Sequence, residues 1–216
     1  MIHRLLLQIK FFFTYRIFIF IRCVFCGIPN TQVVCNYCNK QIKYNYISNT
    51  TKKLYYIDYI SKSITYQSPI KDILHNLKYR QNYKYSWVLG FILNQLLVDM
   101  LIQYDYIILV PQSNHIGRNF NHLDKILEYV ILQNPQLKIE KTLIYKRQNI
   151  PSQVSSKDKY SRIQNIKNAF VCKKSVLNKR FLIIDDVITT GATSNELARV
   201  LKSSGASWVG LCTLMH

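Results

Sequence analysis

Along most of the chain, apolar positions recur at helical spacing or in short continuous runs, and the sharpest change of pattern falls at FLIIDDVITTGAT, from Phe181 to Thr193. Four apolar residues, two adjacent acids and two more apolar residues lead into a small, hydroxyl-rich turn. An unbroken apolar run bounded by turn residues predicts a buried strand of a parallel sheet, with Asp185 and Asp186 where it emerges. Leu197, Val200 and Leu201 then predict a helix over Ser194 to Ser203. Thr193 with Glu196 has the spacing of a capping box at its start. Upstream, Ser68-Pro69 opens a helix bearing Ile70, Ile73, Leu74 and Leu77, and a second apolar helix runs from about Tyr85 to Leu101. Tyr106 to Val110 predicts a core strand closed by Pro111, followed by an amphipathic helix with Phe120, Leu123, Ile126, Leu127 and Val130. Leu143 to Tyr145 is a short strand, and Trp208 to Leu214 a closing strand after a helix that ends at Gly205. Between Lys40 and Gln67 the pattern is short and Tyr-rich, with Tyr55, Ile57 and Tyr59 alternating as in a half-buried strand. Strands interleaved with helices predict an α/β domain.

The strand, loop and helix around residues 181–203 have a chemical use. A short loop of small residues at a helix start gathers backbone N–H groups and the positive end of the helix dipole at one point, which suits a phosphate. Thr189, Thr190 and Thr193 add hydroxyl donors. Two carboxylates beside a phosphate repel it, so they must face hydroxyls, a cation or a divalent metal. A phosphorylated sugar with free hydroxyls satisfies both halves. The plain alternative is a buried strand-helix unit whose turn carries two acids.

Composition narrows the class. At 216 residues with 49% apolar content the chain can bury a sizeable core, which argues against global disorder. A formal charge of +18 attracts polyanions such as nucleic acid, phospholipid or phosphorylated metabolites. The same charge also arises from a proteome-wide bias toward Lys, since Ile, Asn, Lys and Tyr are abundant throughout. Residues 1–57 hold no acid against eight Lys and Arg, so nucleic-acid contact is sought there first.

Residues 1–22 are apolar but interrupted by Gln8, Lys10 and Arg16. A membrane span wants about twenty residues with few charges, and a signal peptide an uncharged core. The stretch is read as a helix or arm that packs on the body or lies on a membrane surface. Cys23, Cys26, Cys35 and Cys38 then form two C-x-x-C pairs eight residues apart. Four thiolates on two tight turns suit a closed, structural tetrahedral Zn²⁺, with Gly27 helping the first turn to bend; a redox pair is the alternative. Metal-type cysteine usage goes with a reducing compartment. Cys172 and Cys212 read as plain buried thiols. The tyrosines of residues 40–67 either stack bases or are strand residues with one wet edge.

Two further stretches bear on a phosphorylated ligand. The loop Gln112 to Arg118 offers Ser113, Asn114, His115 and Arg118, donors of the kind a leaving pyrophosphate needs, or is an ordinary loop. The long polar segment after Tyr145 carries Arg147, Lys157, Lys159, Arg162 and Lys167 against Asp158 alone. A basic flap of this kind shields a reactive centre from water.

The thirteen residues from Phe181 to Thr193 resemble the phosphoribosyl-pyrophosphate (PRPP) motif of type I phosphoribosyltransferases. Together with the four-Cys ribbon, LKY at Leu77 to Tyr79, R-N-F-N at Arg118 to Asn121, R-Q-N-I-P-S-Q at Arg147 to Gln153 and R-I-Q-N at Arg162 to Asn165, they resemble the ComF family, competence-associated bacterial proteins related to amidophosphoribosyltransferases. The resemblance covers nearly the whole chain from Cys23. It implies a type I phosphoribosyltransferase fold, a mostly parallel sheet flanked by helices, over residues 68–216, after an apolar arm at 1–22 and a zinc ribbon with a short β linker at 23–67. It implies that Asp185 and Asp186 hold ribose hydroxyls, that Thr189, Thr190, Gly191, Ala192 and Thr193 cradle the 5′-phosphate, and that pyrophosphate with Mg²⁺ meets the loop after the first core strand. It further implies a cytoplasmic role in taking up or processing DNA, with single-stranded DNA, DNA-uptake proteins and the inner-membrane surface as candidate partners. An active phosphoribosyltransferase of nucleotide metabolism is the other reading; no sequence feature names an acceptor. The chain departs from the family where Pro111 is followed by Gln112 and Ser113, and where Asn119 replaces a glycine, so the pyrophosphate end is the weaker half of the match.

Overall fold

The computed structural model describes residues 22–30, 33–46, 54–98, 104–111, 121–147 and 166–216. In chain order the elements are α1 (Asn36–Gln41), β1 (Tyr44–Tyr46), β2 (Tyr59–Ile60), β3 (Lys62–Ile64), α2 (Ile70–Arg80), α3 (Lys84–Leu97), β4 (Tyr106–Leu109), α4 (His122–Gln133), β5 (Ile144–Lys146), β6 (Phe170–Cys172), β7 (Arg180–Val187), α5 (Ala192–Ser203) and β8 (Trp208–Met215). The main sheet has the order β1-β3-β8-β7-β4, with β2 also on β8. Strands β4, β7, β8, β2 and β3 are parallel along their shared edges, and only β1 runs antiparallel, to β3.

Strand β7 is central because both its faces are apolar, which only a strand covered on both sides tolerates. Leu182 and Ile184 enter one core with Leu74, Leu77, Leu93, Ile126 and Val130 of α2, α3 and α4. Phe181 and Ile183 enter a second core with Leu197, Ala198 and Leu201 of α5. Side chains alternate across a strand, so the two acids at its end must point to opposite faces. Asp186 shares the face of Leu182 and Ile184, and Asp185 that of Ile183. Helices α3 and α4 approach closely at Gly90, where a Cβ would come within 2.5 Å of Tyr129 Cβ.

The predicted mostly parallel α/β architecture is the one observed. Several local expectations are corrected. Helix α5 begins at Ala192 with Gly191 as its N-cap in the left-handed region (φ 72°) and no side-chain cap. The capping box at Thr193 and Glu196 does not form, because Glu196 instead takes the backbone N–H of Asn168 (2.7 Å) and pairs with Arg199. Residues 54–58 precede β2 instead of forming strand, and Tyr55 is 75% exposed. Cys172 is half-buried, its Sγ donating to the Lys174 carbonyl at 3.1 Å, whereas Cys212 is fully buried. Strands β5 and β6 pair antiparallel outside the main sheet and bracket the polar segment, as Ile144↔Cys172 to Lys146↔Phe170. This two-stranded stalk is tied to α5 through Asn168, Glu196 and Arg199.

Candidate functional site

Asp185 and Asp186 lie at the C-terminal end of β7, inside the strand's last turn of pairing with β8. In open parallel sheets this edge is where ligands bind, because loops and helix N-termini converge there. Asp186 is buried, and its environment is charged. Its Oδ2 meets both Lys78 Nζ of α2 and His122 Nε2 of α4, and its Oδ1 accepts the backbone N–H of Val187 at 2.7 Å. Burial works against its charge, but His122 and Lys78 outweigh that cost and hold the carboxyl well below the usual carboxylate range. Asp185 is half-buried on the opposite face. Its Oδ2 accepts from Ser194 Oγ at 3.2 Å and its Oδ1 from the Asp186 backbone N–H at 2.9 Å. Burial and the neighbouring Asp186 charge push its carboxyl up to about 7. One acid is therefore fixed as an anion while its neighbour titrates near neutrality.

The predicted phosphate loop stands directly behind the acids. Thr189 is exposed, Thr190, Ala192 and Thr193 are half-buried, and Gly191 is buried. Thr190 Oγ1 accepts the Ala192 N–H (3.3 Å), and the first turn of α5 presents its dipole there. The left-handed φ at Gly191 favours glycine, and a Cβ there would stand 2.6 Å from Leu54 Cδ2, so the leucine side chain would have to shift. Leu54 belongs to the stretch just before β2. That stretch runs along α5, with the Tyr56 N–H donating to Asn195 Oδ1 at 3.2 Å and Asp58 paired to Lys202 at 2.6 Å. Leu54 thus stands over the loop at 189–193, an arrangement with no local signature.

Of the other residues singled out from sequence, Ser113, Asn114, His115, Arg118 and Arg162 lie outside the described residues. So does most of the arm at 1–22. Arg147 is exposed, and its backbone N–H donates to the Ala169 carbonyl at the base of the stalk (2.9 Å). Lys78 belongs to the LKY stretch already noted, but without a role, and His122 was missed. Both had a signal: each sits one helical turn from apolar residues of its own buried stripe, Lys78 after Leu74 and His122 before Ile126. A polar residue on an apolar stripe needs a partner.

Cys23, Cys26, Cys35 and Cys38 come together, their sulphurs all within 4.8 Å of one another. Tetrahedral Zn–S bonds of about 2.3 Å set sulphurs about 3.8 Å apart. Cys26 and Cys35 stand at 3.7 Å. Gly27 makes the first knuckle with φ 71°, its N–H bonded to the Cys23 carbonyl, and Cys35 caps α1 through its Sγ. Burial resists ionisation of Cys23, yet N–H donation from Cys35, Cys26 and Phe25 brings its thiol down to about 6. Burial and the neighbouring sulphurs push Cys38 up. The cluster fits a metal ion such as zinc, which relieves the crowding of several thiolates. Among the described residues, no helix is long and apolar enough to cross a membrane.

A phosphoribosyl transferase domain model matches residues 132–216, the C-terminal stretch that carries the stalk, β7, the loop and α5. The DNA utilization protein YhgH of Shigella flexneri is 29% identical over 158 residues, covering 67% of this chain and 66% of that one. The competence protein ComFC of Streptococcus pneumoniae is 25% identical over 153 residues, 70% of this chain and 66% of that one. The chain thus spans slightly less than two thirds of the length of these relatives. Among solved structures, the glutamine PRPP amidotransferase from B. subtilis complexed with ADP and GMP is 20% identical over 59% of this chain and 25% of that one, with a TM-score of 0.39. Shared sequence over most of the chain, together with the cysteine cluster and the strand, acid pair and phosphate loop, identifies a phosphoribosyltransferase-like fold with an N-terminal cysteine module, and the chain belongs to the ComF family.

Proposed function

We propose that the chain binds PRPP or another ribose 5-phosphate at the end of β7 and serves DNA uptake or processing during natural transformation, in the bacterial cytoplasm or at the inner face of the membrane. The observation that carries this reading is the placement of a half-exposed acid, Asp185, and a fixed anion, Asp186, beside a glycine-opened helix N-terminus. Asp185 and Asp186 take the 2′ and 3′ hydroxyls, and Thr189 to Thr193 take the 5′-phosphate. Mg²⁺ arriving with PRPP supplies charge neutralisation at the pyrophosphate. If transfer occurs, an acceptor nucleophile forms its bond to C1 as the bond from C1 to pyrophosphate breaks, through an oxocarbenium-like centre. A zinc ion in the cysteine module is structural.

Calorimetric titration of PRPP, with and without Mg²⁺, tests the ligand. Wild type binds, more tightly with Mg²⁺, and above the raised titration range of Asp185, where it is ionised, Asp185→Asn weakens binding about 10-fold or more, the loss expected for a hydrogen bond to a charged acceptor. Equal affinity in the variant removes the ribose assignment. The DNA role is tested by filter binding of single-stranded DNA across a salt series. Affinity is expected to fall log-linearly with salt, and a flat response removes the polyanion role.

A further inference from the structure

On the reading that the end of β7 takes a phosphorylated ribose, we propose that Lys78 and His122 are positioning residues for the sugar's hydroxyls: held between them, Asp186 stays an ionised, rotationally fixed acceptor. Three elements meet at this carboxylate. Lys78 reaches it from α2, His122 from α4, and the neighbouring acid, Asp185, is one residue away on β7. The Lys78 side chain is 19% exposed and that of His122 only 4%. Two donors share one oxygen of Asp186 while the Val187 N–H occupies the other, so the carboxylate plane cannot turn.

Packing alone does not call for this trio. Helices α2 and α4 are already seated on the sheet by Leu74, Leu77, Leu123, Ile126 and Leu127, and a buried ion pair is often no more stabilising than apolar residues of the same volume. Its chemistry suits a site that must bind a diol. Two neighbouring carboxylates left to themselves share a proton, and a protonated carboxyl donates where a hydroxyl needs an acceptor. A lysine and a histidine on one of the two carboxylates remove that competition from Asp186. The loop at 189–193 opens α5, which packs on the opposite face of β7 from α2 and α4. Their effect therefore falls on the sugar hydroxyls and spares the phosphate.

The experiment titrates wild type, Lys78→Met, Lys78→Arg and His122→Gln with ribose 5-phosphate, 2-deoxyribose 5-phosphate and inorganic phosphate, with thermal unfolding of each variant alongside. Lys78→Met is expected to lose about 10- to 100-fold in ribose 5-phosphate affinity, as for loss of a charged hydrogen bond, while its affinity for inorganic phosphate is unchanged. Its preference for ribose over 2-deoxyribose disappears with it. Lys78→Arg restores most of both, and His122→Gln repeats the loss should Lys78→Met not fold. Undiminished ribose 5-phosphate binding in folded Lys78→Met or His122→Gln overturns the positioning role and leaves the phosphoribosyl reading standing. Parallel loss of ribose 5-phosphate and inorganic phosphate overturns it too. A wild type that binds neither sugar phosphate overturns the phosphoribosyl reading, and the positioning role falls with it.

Discussion

Cys35→Ser is expected to bring the metal content of the purified protein from about one ion per chain to near zero and to unfold the module around residues 22–43, because a closed four-thiolate site has no spare ligand. The segment is short and holds few apolar residues of its own: Cys23, Val33 and Val34 are buried, whereas Val24 and Ile28 are exposed. A structural zinc site contributes folding energy of about 10 kcal/mol or more, far above what three small buried side chains supply. Cys35 is the sharpest choice among the four. Its sulphur stands against Cys26, accepts the Cys38 N–H and caps α1, so the serine removes the ligand while its hydroxyl can still cap the helix, which isolates the loss of metal. Metal analysis and limited proteolysis read the outcome. The phosphoribosyltransferase half should keep its own unfolding transition, although Cys23, Val33 and Val34 lean on the core beneath α2 and lower it somewhat when they leave. Full metal retention in the serine variant would show that this cysteine is not a ligand.

Asp186→Ala is expected to destabilise the fold by about 3–5 kcal/mol, the cost of leaving the Lys78 charge and its neighbour His122 without their shared carboxylate. Lys78 and His122 both lose their anion, and the Val187 N–H loses its acceptor. One effect opposes this. Burial is the main reason that the Asp185 carboxyl is raised to about 7, but the Asp186 charge is the next, and removing it lets Asp185 ionise more readily. The sign follows from proton counting. Between pH 4 and 7 the folded wild type keeps a proton on Asp185 that the unfolded chain has released, so wild-type stability falls as pH rises through that window. In the alanine variant the fall is shallower. The stability gap between the two proteins is therefore larger at pH 5 than at pH 8. Below the ordinary carboxylate range the gap narrows, because the depressed carboxyl of Asp186 is itself protonated as pH falls toward its folded value. Urea denaturation at pH 5, at pH 8 and below the ordinary carboxylate range measures this. A variant within 1 kcal/mol of wild type at pH 7 would mean the trio carries no net attraction.

The two variants test different links between sequence and structure. Loss at Cys35 follows from spacing alone, since C-x-x-C pairs bring thiols together within one turn of chain. Loss at Asp186 depends on partners from two other helices, one of them separated by 64 positions. The same contrast runs through the errors of the sequence reading. Thr193 and Glu196 have the spacing of a capping box, yet the stalk residue Asn168 and Arg199 compete for the Glu196 carboxylate and win it. Tyr55 alternates with Ile57 and Tyr59 as a strand would. Asp58 already bonds Val209 of β8 through its backbone N–H and its carboxylate, but the residues before it turn along α5, where the Tyr56 N–H donates to Asn195.

By itself the sequence determined what depends on short-range periodicity and spacing: the apolar run of β7, the loop of small residues between it and the helix that follows, the apolar stripes of α2 and α4, and four thiols on two knuckles. Each is a property of fewer than about twenty consecutive residues, where backbone geometry leaves few options. Tertiary structure alone decided which way the two acids face and what meets them. Alternation along β7 sends Asp186 under α2 and α4 and Asp185 toward α5, so that Lys78 and His122 reach one acid and Ser194 the other. Helix packing against the sheet sets that pairing, and no local pattern encodes which residue of one helix will stand opposite which residue of a distant strand.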